Sequence, residues 1–385
     1  MTQDTRKTAK RKPDKPYADF PLFAHANGLW AKKIRGKLHY FGPWVDWQAA
    51  LNKYQDQRDD LHAGRTPRAS REGLTVRDLA NRFMTAKEIQ RDAGDITSRT
   101  FADYLATSRL VVDSFGKNRL VIDLAADDFE QLRKSLAKKR NPNTLGNEIQ
   151  RIRTAFKYAY DAGLVEHPIR FGPTFKRPAK RILRAIRQKK GSRMFEAAQL
   201  RKILDAADNP LRAMILLGVN CGFGNHDCGT LPTTALDLKA GWVNYPRPKT
   251  AIERRCPLWP ETATAITEAI AARPKAKLDA DSQLVFITKY GQPWAKDVAD
   301  SPVTKEMRKL LDTLGLHRPG LGFYALRHTF ETVGGEARDQ VAVNHIMGHV
   351  DQSMAGVYRE NIGDDRLRDV SDFVRNWLFD KESGK

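Results

Sequence analysis

The stretch from Gly322 to Tyr358 reads GFYALRHTFETVGGEARDQVAVNHIMGHVDQSMAGVY and carries three phosphate-binding or reactive side chains at fixed spacing. Arg327 lies in the run ALRHTF, His349 ends the run MGH, and Tyr358 follows His349 by nine residues. A guanidinium can hold two phosphate oxygens, and a tyrosine hydroxyl can keep a cleaved phosphate as a covalent ester. The pattern therefore favours chemistry on a phosphodiester.

Each of these signals has an ordinary structural explanation when it is taken alone. An arginine early in a helix is usually solvated, a Gly-His pair usually ends a helix, and a tyrosine near a C-terminus usually packs. The occurrence of all three signals together, at these spacings, favours a shared site. His328 is expected to be structural, because on a helix it projects about 100° away from Arg327.

In this register the stretch resembles the catalytic end of the tyrosine site-specific recombinases, the phage integrase family. ALRHTF resembles the family's arginine box, MGH resembles its Gly-His element, and Tyr358 stands where the family keeps its nucleophile. The resemblance implies that Tyr358 attacks a DNA phosphate, giving a 3′-phosphotyrosyl link and a free 5′-hydroxyl. It implies that Arg327 and His349 bind the phosphate oxygens, and that neither a cofactor nor a metal is needed.

Two positions depart from the family's pattern. In the run CGFGNHDCGTL at residues 221–231, Gly224 takes the place of the first catalytic arginine, while Asp227 and Leu231 match the family's acidic and apolar positions. Tyr324 stands where the family most often has a histidine as proton acceptor. A phenol is a poor base near neutral pH, so the residue that deprotonates the nucleophile is not evident.

Other donors could replace the missing guanidinium. The candidates are Asn225 and His226 in the same loop, and Arg247, Arg254 and Arg255 on a hairpin that the sequence predicts over residues 242–259. The resemblance also implies that Lys249, in the turn of this hairpin, gives a proton to the leaving 5′-oxygen.

The chain has 385 residues and a formal net charge of +20. This length suits two or three domains, and the positive charge indicates a polyanionic partner, with double-stranded DNA as the first candidate. A membrane surface is the rival partner. It is disfavoured because the sequence has no apolar run near ~20 residues and no secretory signal. We therefore expect a cytoplasmic, nucleoid-associated protein.

The three cysteines, Cys221, Cys228 and Cys256, are too few and too unevenly spaced for a disulfide framework, so we expect reduced thiols. A metal site built from Cys221 and Cys228 beside His226 and Asp227 is the less favoured alternative.

Composition and periodicity predict an α+β multidomain chain. We expect a disordered basic arm at residues 1–18, a small three-stranded sheet plus a helix at 19–64, an all-α domain at 74–172, a basic linker at 173–193, and a mainly α domain with a small antiparallel sheet at 194–385. The resemblance implies that the three folded parts are an arm-type DNA-binding module, a core-binding domain and a catalytic domain.

Basic residues in two regions are expected to contact DNA phosphates. The linker carries nine basic residues and no acidic one between residues 176 and 193, and charges at this density repel one another unless a polyanion neutralises them. In residues 19–64 we expect hairpin turns at Asn27-Gly28 and at Arg35-Gly36-Lys37. The residues that we expect to contact DNA are Lys32, Lys33 and Arg35, on or beside the middle hairpin, and Lys189, Lys190 and Arg193 in the linker.

Helix signals occur in the all-α domain and at the C-terminus. Asp123 and Asn141 are expected to be N-caps. After Tyr358, apolar residues recur at helical spacing: Leu367, Val370, Phe373, Val374, Trp377 and Leu378. The resemblance implies that this helix docks on a neighbouring protomer in a homo-oligomer, a tetramer on DNA, whereas packing against its own domain is equally expected.

Two functions of different classes fit the sequence. One is a recombinase that cleaves and rejoins DNA, for which the presence of Arg327, His349 and Tyr358 argues. The other is a catalytically degenerate DNA-binding protein that acts as a regulator or structural subunit at recombination sites, for which Gly224 and Tyr324 argue. A relaxing topoisomerase of similar chemistry is a third and weaker alternative.

Overall fold

A computed structural model describes residues 12–64, 67, 73–296, 301–350 and 354–380. The chain forms two compact units that divide between Arg184 and Ala185. The first unit contains two separate hydrophobic cores, and the second is built around one large core. This mixture of helices with two small antiparallel sheets confirms the predicted fold class.

The first core lies under a three-stranded antiparallel sheet of order β1-β2-β3. The strands are β1 (Phe23–Ala24), β2 (Leu29–Ile34) and β3 (Lys37–Pro43), and helix α1 (Trp47–His62) follows them. Arg35 and Gly36 join β2 to β3 with φ angles of 48° and 81°. Positive φ at both central residues is typical of a tight two-residue hairpin, whose twist matches that of the strands.

The predicted disordered arm extends less far than expected. Residues 1–11 lie outside the described part of the chain, but the Tyr17 ring packs edge-on against Phe20 and Trp47 at centroid distances of 5.3 and 6.1 Å. Tyr17 therefore belongs to the folded module, because its ring covers the aromatic end of the core.

Four helices form the second core: α2 (Val76–Asp92), α3 (Ser98–Phe115), α4 (Ala126–Lys139) and α5 (Pro142–Asp161). Asn141 caps α5 as predicted, because its Oδ1 accepts the Thr144 N–H at 3.0 Å.

The prediction that Asp123 is an N-cap is wrong. Asp123 ends a short 3₁₀ turn, and Ala125 precedes α4. The capping acceptor is Asp128, which takes the Ala125 N–H at 2.9 Å and is held in place by a two-bond ion pair with buried Arg119.

The basic linker contains a helix that the sequence analysis did not predict, α6 (Lys180–Lys189). None of its residues is buried. Its basic side chains are therefore presented to solvent on a regular scaffold.

The second unit begins with α7 (Ala197–Ala206), α8 (Leu211–Asn220) and the short α9 (Asn225–Gly229). A small antiparallel sheet of order β4-β5-β6 follows, formed by β4 (Leu236–Asp237), β5 (Trp242–Asn244) and β6 (Arg255–Pro257). The remaining helices are α10 (Pro260–Ala272), α11 (Pro302–Thr313), α12 (Ala325–Glu336), α13 (Gln340–Met347), α14 (Met354–Val357) and α15 (Asp364–Phe379).

Helix α8 is the centre of this unit. All its residues from Ala213 to Asn220 are buried, and α10, α11, α12 and α15 all contact it. At Gly218 the helix touches α12 so closely that an added Cβ would lie 2.7 Å from the Leu326 Cδ1. This close approach fixes α12, and therefore Arg327, against the rest of the core.

The C-terminal helix α15 packs within its own unit. Leu367, Val370, Val374 and Leu378 are fully buried there, whereas Phe373 is exposed. Most of the apolar face that could have bound a neighbouring protomer is thus used within the chain. Among the described residues, no helix is both long and apolar enough to cross a bilayer.

Candidate active site

Arg327 lies on the floor of the site. It is 3% exposed, and its guanidinium donates to the carbonyl oxygens of Gly222 at 2.5 Å and Met347 at 2.6 Å. Burial, and next the positive charge of Arg247, lower the pKa of Arg327 to about 10. The group therefore stays protonated at neutral pH, and two backbone segments distant in sequence fix its orientation.

Gly348 shapes the backbone around Arg327. It ends α13 in the left-handed conformation, with φ of 61° and ψ of 46°. A residue with a Cβ adopts this conformation with strain, so glycine suits the position. The turn brings the His349 N–H to within 2.9 Å of the Asn344 carbonyl oxygen and directs His349 back towards α12.

His349 has a carboxylate beside one of its ring nitrogens. Its Nδ1 lies 3.5 Å from the Glu331 Oε2, and the Gln340 Nε2 donates to the Glu331 Oε1 at 3.0 Å. Burial, and next the charge of Arg327, lower the pKa of His349 below its usual value. The imidazole is therefore neutral at pH 7, with one nitrogen able to accept a proton.

Two tyrosines lie at the surface of this unit. Tyr358 follows α14 and is 75% exposed, and Tyr324 precedes α12 and is 50% exposed. The Tyr324 ring meets His328 edge-on at 5.5 Å. Residues 351–353, between Val350 and α14, lie outside the described residues.

The loop that carries Gly224 closes on itself. The Gly224 N–H donates to the Asp227 Oδ2 at 2.7 Å. Gly224 has φ of −89° and ψ of 172°, an ordinary extended conformation that any residue adopts. Of the two predicted substitutes, Asn225 contacts Thr304 of α11 through a 3.4 Å hydrogen bond, and the His226 side chain is exposed.

The hairpin between β5 and β6 places Arg254 beside Asp227 of this loop. Arg254 is 3% exposed, its Nε donates to the Tyr245 carbonyl oxygen at 2.6 Å, and its Nη2 lies 3.3 Å from the Asp227 Oδ1. Its guanidinium carbon is 4.0 Å from the centroid of the Phe223 ring. Arg254 therefore lies directly beneath the loop of Gly224.

The other basic residues of the hairpin are placed differently. Arg255 turns away and forms a two-bond ion pair with Asp364 of α15. Arg247 is half-buried and donates to the Gly348 carbonyl oxygen through a long 3.4 Å bond. Lys249 is exposed in the turn. Strand alternation could have suggested that Arg254 and Arg255 face opposite sides, but not which of them faces inward.

The predicted DNA-contacting residues are mostly at the surface. Lys33, Arg35, Lys189 and Lys190 are exposed, and Arg193 is half-buried. Lys32 is the exception. Its ammonium donates to the Pro21 carbonyl oxygen at 3.1 Å and lies 4.9 Å from the centre of the Tyr54 ring, so it is held by its own module.

All three cysteines are free and buried. Burial raises the pKa of the Cys221 and Cys228 thiols well above the usual value, which makes them unreactive. In the part of the chain that the structure describes, no three or more His, Cys, Asp or Glu side chains form a group that could hold a metal ion.

Comparisons with known proteins agree with this architecture. The fold is similar to that of a lambda integrase dimer bound to a COC′ core site, with TM-score 0.57, 15% identity, and coverage of 76% of this chain and 97% of that one. It is also similar to a lambda integrase tetramer bound to a Holliday junction, with TM-score 0.56, 16% identity, and coverage of 90% and 98%.

The Tn1549 transposon integrase in complex with a circular intermediate DNA gives a similar result, with TM-score 0.56, 16% identity, and coverage of 77% and 98%. At such identities the likeness establishes the fold alone. Comparison with curated protein sequences gives no match. Residues 193–362 match the model of the phage integrase family.

Proposed function

We propose that this chain is a site-specific DNA recombinase that cleaves and rejoins DNA through a 3′-phosphotyrosyl intermediate formed on Tyr358. The observation that carries the proposal is the buried Arg327, oriented by two carbonyl oxygens beside His349 in a domain that also carries the exposed Tyr358. A fixed guanidinium can neutralise the charge that grows on a phosphate during substitution at phosphorus.

Cleavage replaces one phosphate ester bond with another. The Tyr358 Oη bonds to phosphorus, and the bond from phosphorus to the 5′-oxygen breaks. The phenolic proton needs an acceptor, and we assign that role to the His349 Nε2. The Glu331 carboxylate beside Nδ1 favours the tautomer that carries its proton there, which leaves Nε2 with a free lone pair.

The leaving oxygen needs a proton in return. Lys249 is exposed in the hairpin turn, where a long ammonium side chain can reach the DNA and protonate the 5′-oxygen. Attack by a 5′-hydroxyl of another duplex reverses every step and returns both protons. The ester bond is conserved throughout, so the exchange needs no external energy source.

The other parts of the chain fit DNA binding as separate modules. We assign residues 19–64 to an arm-type module, 74–172 to a core-binding domain, 173–193 to a basic linker, and 194–385 to the catalytic domain. The similar solved structures are DNA-bound integrases, including a dimer and a tetramer, which supports double-stranded DNA as the partner and a tetramer as the working assembly.

The catalytically degenerate DNA-binding protein is the second candidate function, because Gly224 and Tyr324 replace family residues. A duplex selected from a randomised pool by binding to Tyr358→Phe protein, then nicked to trap the intermediate, separates the two candidates. A recombinase forms a covalent protein–DNA adduct with the wild-type sequence and none with Tyr358→Phe, while both bind the duplex equally. Absence of the adduct in wild-type protein on every nick position would exclude the enzyme.

A further inference from the structure

Arg254 is a buried cation whose hydrogen-bonding capacity is only partly used. Its side chain is 1% exposed, and neither Nη atom has a hydrogen-bond partner in the described part of the chain. Buried polar groups in folded proteins nearly always have partners, and a buried charge without them is costly. Donors kept in this state indicate an acceptor that the chain itself does not supply.

The internal partner of Arg254 is insufficient. Asp227 approaches the Nη2 at 3.3 Å without forming a hydrogen bond, and its second oxygen is occupied by the Gly224 N–H at 2.7 Å. Asp227 therefore holds the guanidinium in place electrostatically but leaves the donors on its outer nitrogens unused.

Positive charge accumulates around this position. A Cβ added to Gly348 would lie 3.0 Å from the Arg247 Cβ and 3.4 Å from the Arg254 Cδ, so both side chains lie against the same glycine. Arg327 donates to the carbonyl oxygen of Met347, which directly precedes that glycine. Three guanidinium groups thus surround one turn of backbone, with Asp227 as their acidic neighbour. Such a cluster is complementary to an anion with several oxygens, such as a phosphodiester.

We propose that Arg254 is the second guanidinium of the phosphate clamp and supplies the charge that the chain lacks at Gly224. The inference rests on the proposed function and identifies a further residue that contacts the scissile phosphate. Asp227 and the Phe223 ring hold the side chain from below, and the phosphate provides the missing acceptor. Arg247, which is half-buried and held only by a 3.4 Å bond to the Gly348 carbonyl oxygen, lies against the same glycine as Arg254.

Phosphate-ethylation interference tests this contact without requiring cleavage. Tyr358→Phe protein is bound to the selected duplex in which single phosphates are ethylated, which removes their charge. We expect one phosphate in each half-site at which ethylation weakens binding, and we expect this effect to fall about tenfold when Arg254→Met is added. Arg327→Ala should reduce the effect at the same phosphate. Arg255→Ala is the matched control, since its side chain faces α15, and it should leave the pattern unchanged.

An ethylation pattern that is identical with and without Arg254→Met overturns the proposal. If Arg254→Met fails to fold, Arg254→Lys gives the same test with the charge retained. A single ammonium replaces the planar fork, so the effect at that one phosphate should still fall, by about threefold, and an unchanged pattern would again overturn the proposal.

Cleavage gives an independent second measurement. Arg254→Met should slow adduct formation about 10² to 10³-fold, which is more than the roughly tenfold loss of affinity for unmodified duplex that the ethylation effect implies. Adding Gly224→Arg should restore at least tenfold of that loss, because Gly224 has ordinary backbone angles, although the Asp227 Oδ2, 3.3 Å from an added Cβ, must shift slightly. No restoration together with a lowered melting temperature would mean that Arg254 is only structural. If the wild-type sequence forms no adduct at all, the proposed enzyme fails, while the ethylation pattern still decides whether Arg254 holds the phosphate.

Discussion

In the proposed mechanism, the protonation state of His349 decides whether Tyr358 can be deprotonated. Burial and the positive charge of Arg327 lower its pKa, and the Glu331 carboxylate opposes them. Since the neutral form is the base, the rate of adduct formation should be constant near pH 7 and fall only when the pH drops below the usual histidine range. Single-turnover rates between about pH 5 and pH 8 measure this fall, the acidic limb of the pH profile.

The variant Glu331→Gln should shift the pKa of His349 in a known direction. Loss of the carboxylate removes the contribution that raises the pKa of His349, so the acidic limb should move to lower pH while the plateau rate falls, because the tautomer is no longer fixed. His328→Asn is the control. Burial also lowers the pKa of His328, but the His328 ring contacts Tyr324. The fall in rate at acidic pH should therefore remain in His328→Asn, and its loss would show that His328 is the base instead of His349.

The sequence grouped the candidate site residues that share one local segment, but it did not single out Arg254 from the other candidate arginines, because the placement of Arg254 depends on tertiary packing. Arg327 and His349 lie 22 positions apart in a segment of recognisable order, and the structure brings them together. Arg254 was one of three equivalent arginines in the sequence. Only the folded chain shows that the Arg254 side chain points inward, where it contacts the Asp227 side chain and the Phe223 ring.

Among the elements, α8, β6 and α15 are joined by a buried polar network. Asn220 is fully buried, its Nδ2 donates to the Pro257 carbonyl oxygen and the Ser371 Oγ, both at 3.0 Å, and its Oδ1 accepts the Trp259 N–H at 3.0 Å. Asn220→Leu should destabilise the second unit by about 3 kcal/mol, because it leaves several buried groups without partners. Urea unfolding measures this. Asn376→Leu, at an exposed position of α15, should change stability little, and equal losses in both would contradict the network's role.

The α4 helix depends on a similar buried pair. Asp128 accepts two hydrogen bonds from Arg119, at 2.9 and 2.7 Å, and both side chains are 5% exposed. Asp128→Ala should lower the free energy of unfolding of this domain by about 3–5 kcal/mol, because it leaves the buried Arg119 guanidinium without its charged partner. Hydrogen exchange of the α4 amides measures the loss of stability in this helix separately from the rest of the molecule. Glu130→Ala, on the exposed side of α4, should leave that exchange unchanged, and a small effect of Asp128→Ala would show that water replaces the carboxylate.

Element boundaries show where local sequence signals are sufficient. The Arg35-Gly36 hairpin and the Asn141 cap were predicted because turn and cap chemistry act within a few residues. Asp123 failed as a cap because buried Arg119, nine residues before Asp128, holds Asp128 in that role. The helix α6 was missed because the nine basic residues between positions 176 and 193 are typical of a solvated linker, and charge alone does not report secondary structure.

At the scale of the whole molecule, the net charge of +20 is unevenly available to a partner. Many arginines are satisfied internally. Arg151 is paired with Asp103, Arg366 with Asp339, and Arg375 with Glu261. The linker differs, because it has no acidic residue between positions 176 and 193, and Lys189 and Lys190 are exposed at its end. The linker is therefore the part of the chain that gains most from phosphate contact.

Replacing Lys189, Lys190 and Arg193 by alanine should flatten the dependence of DNA affinity on salt. Each phosphate contact contributes roughly 0.9 to the slope of log affinity against log salt, so the loss should approach about 2.7 if all three contact phosphates. Fluorescence anisotropy with the selected duplex, between about 50 and 200 mM salt, measures the slope. The control replaces three exposed lysines of the same unit, Lys239, Lys275 and Lys277, and removes the same charge. If both triple variants lose equal slope, the linker acts only through net charge, whereas a loss confined to the linker variant assigns it to the DNA interface.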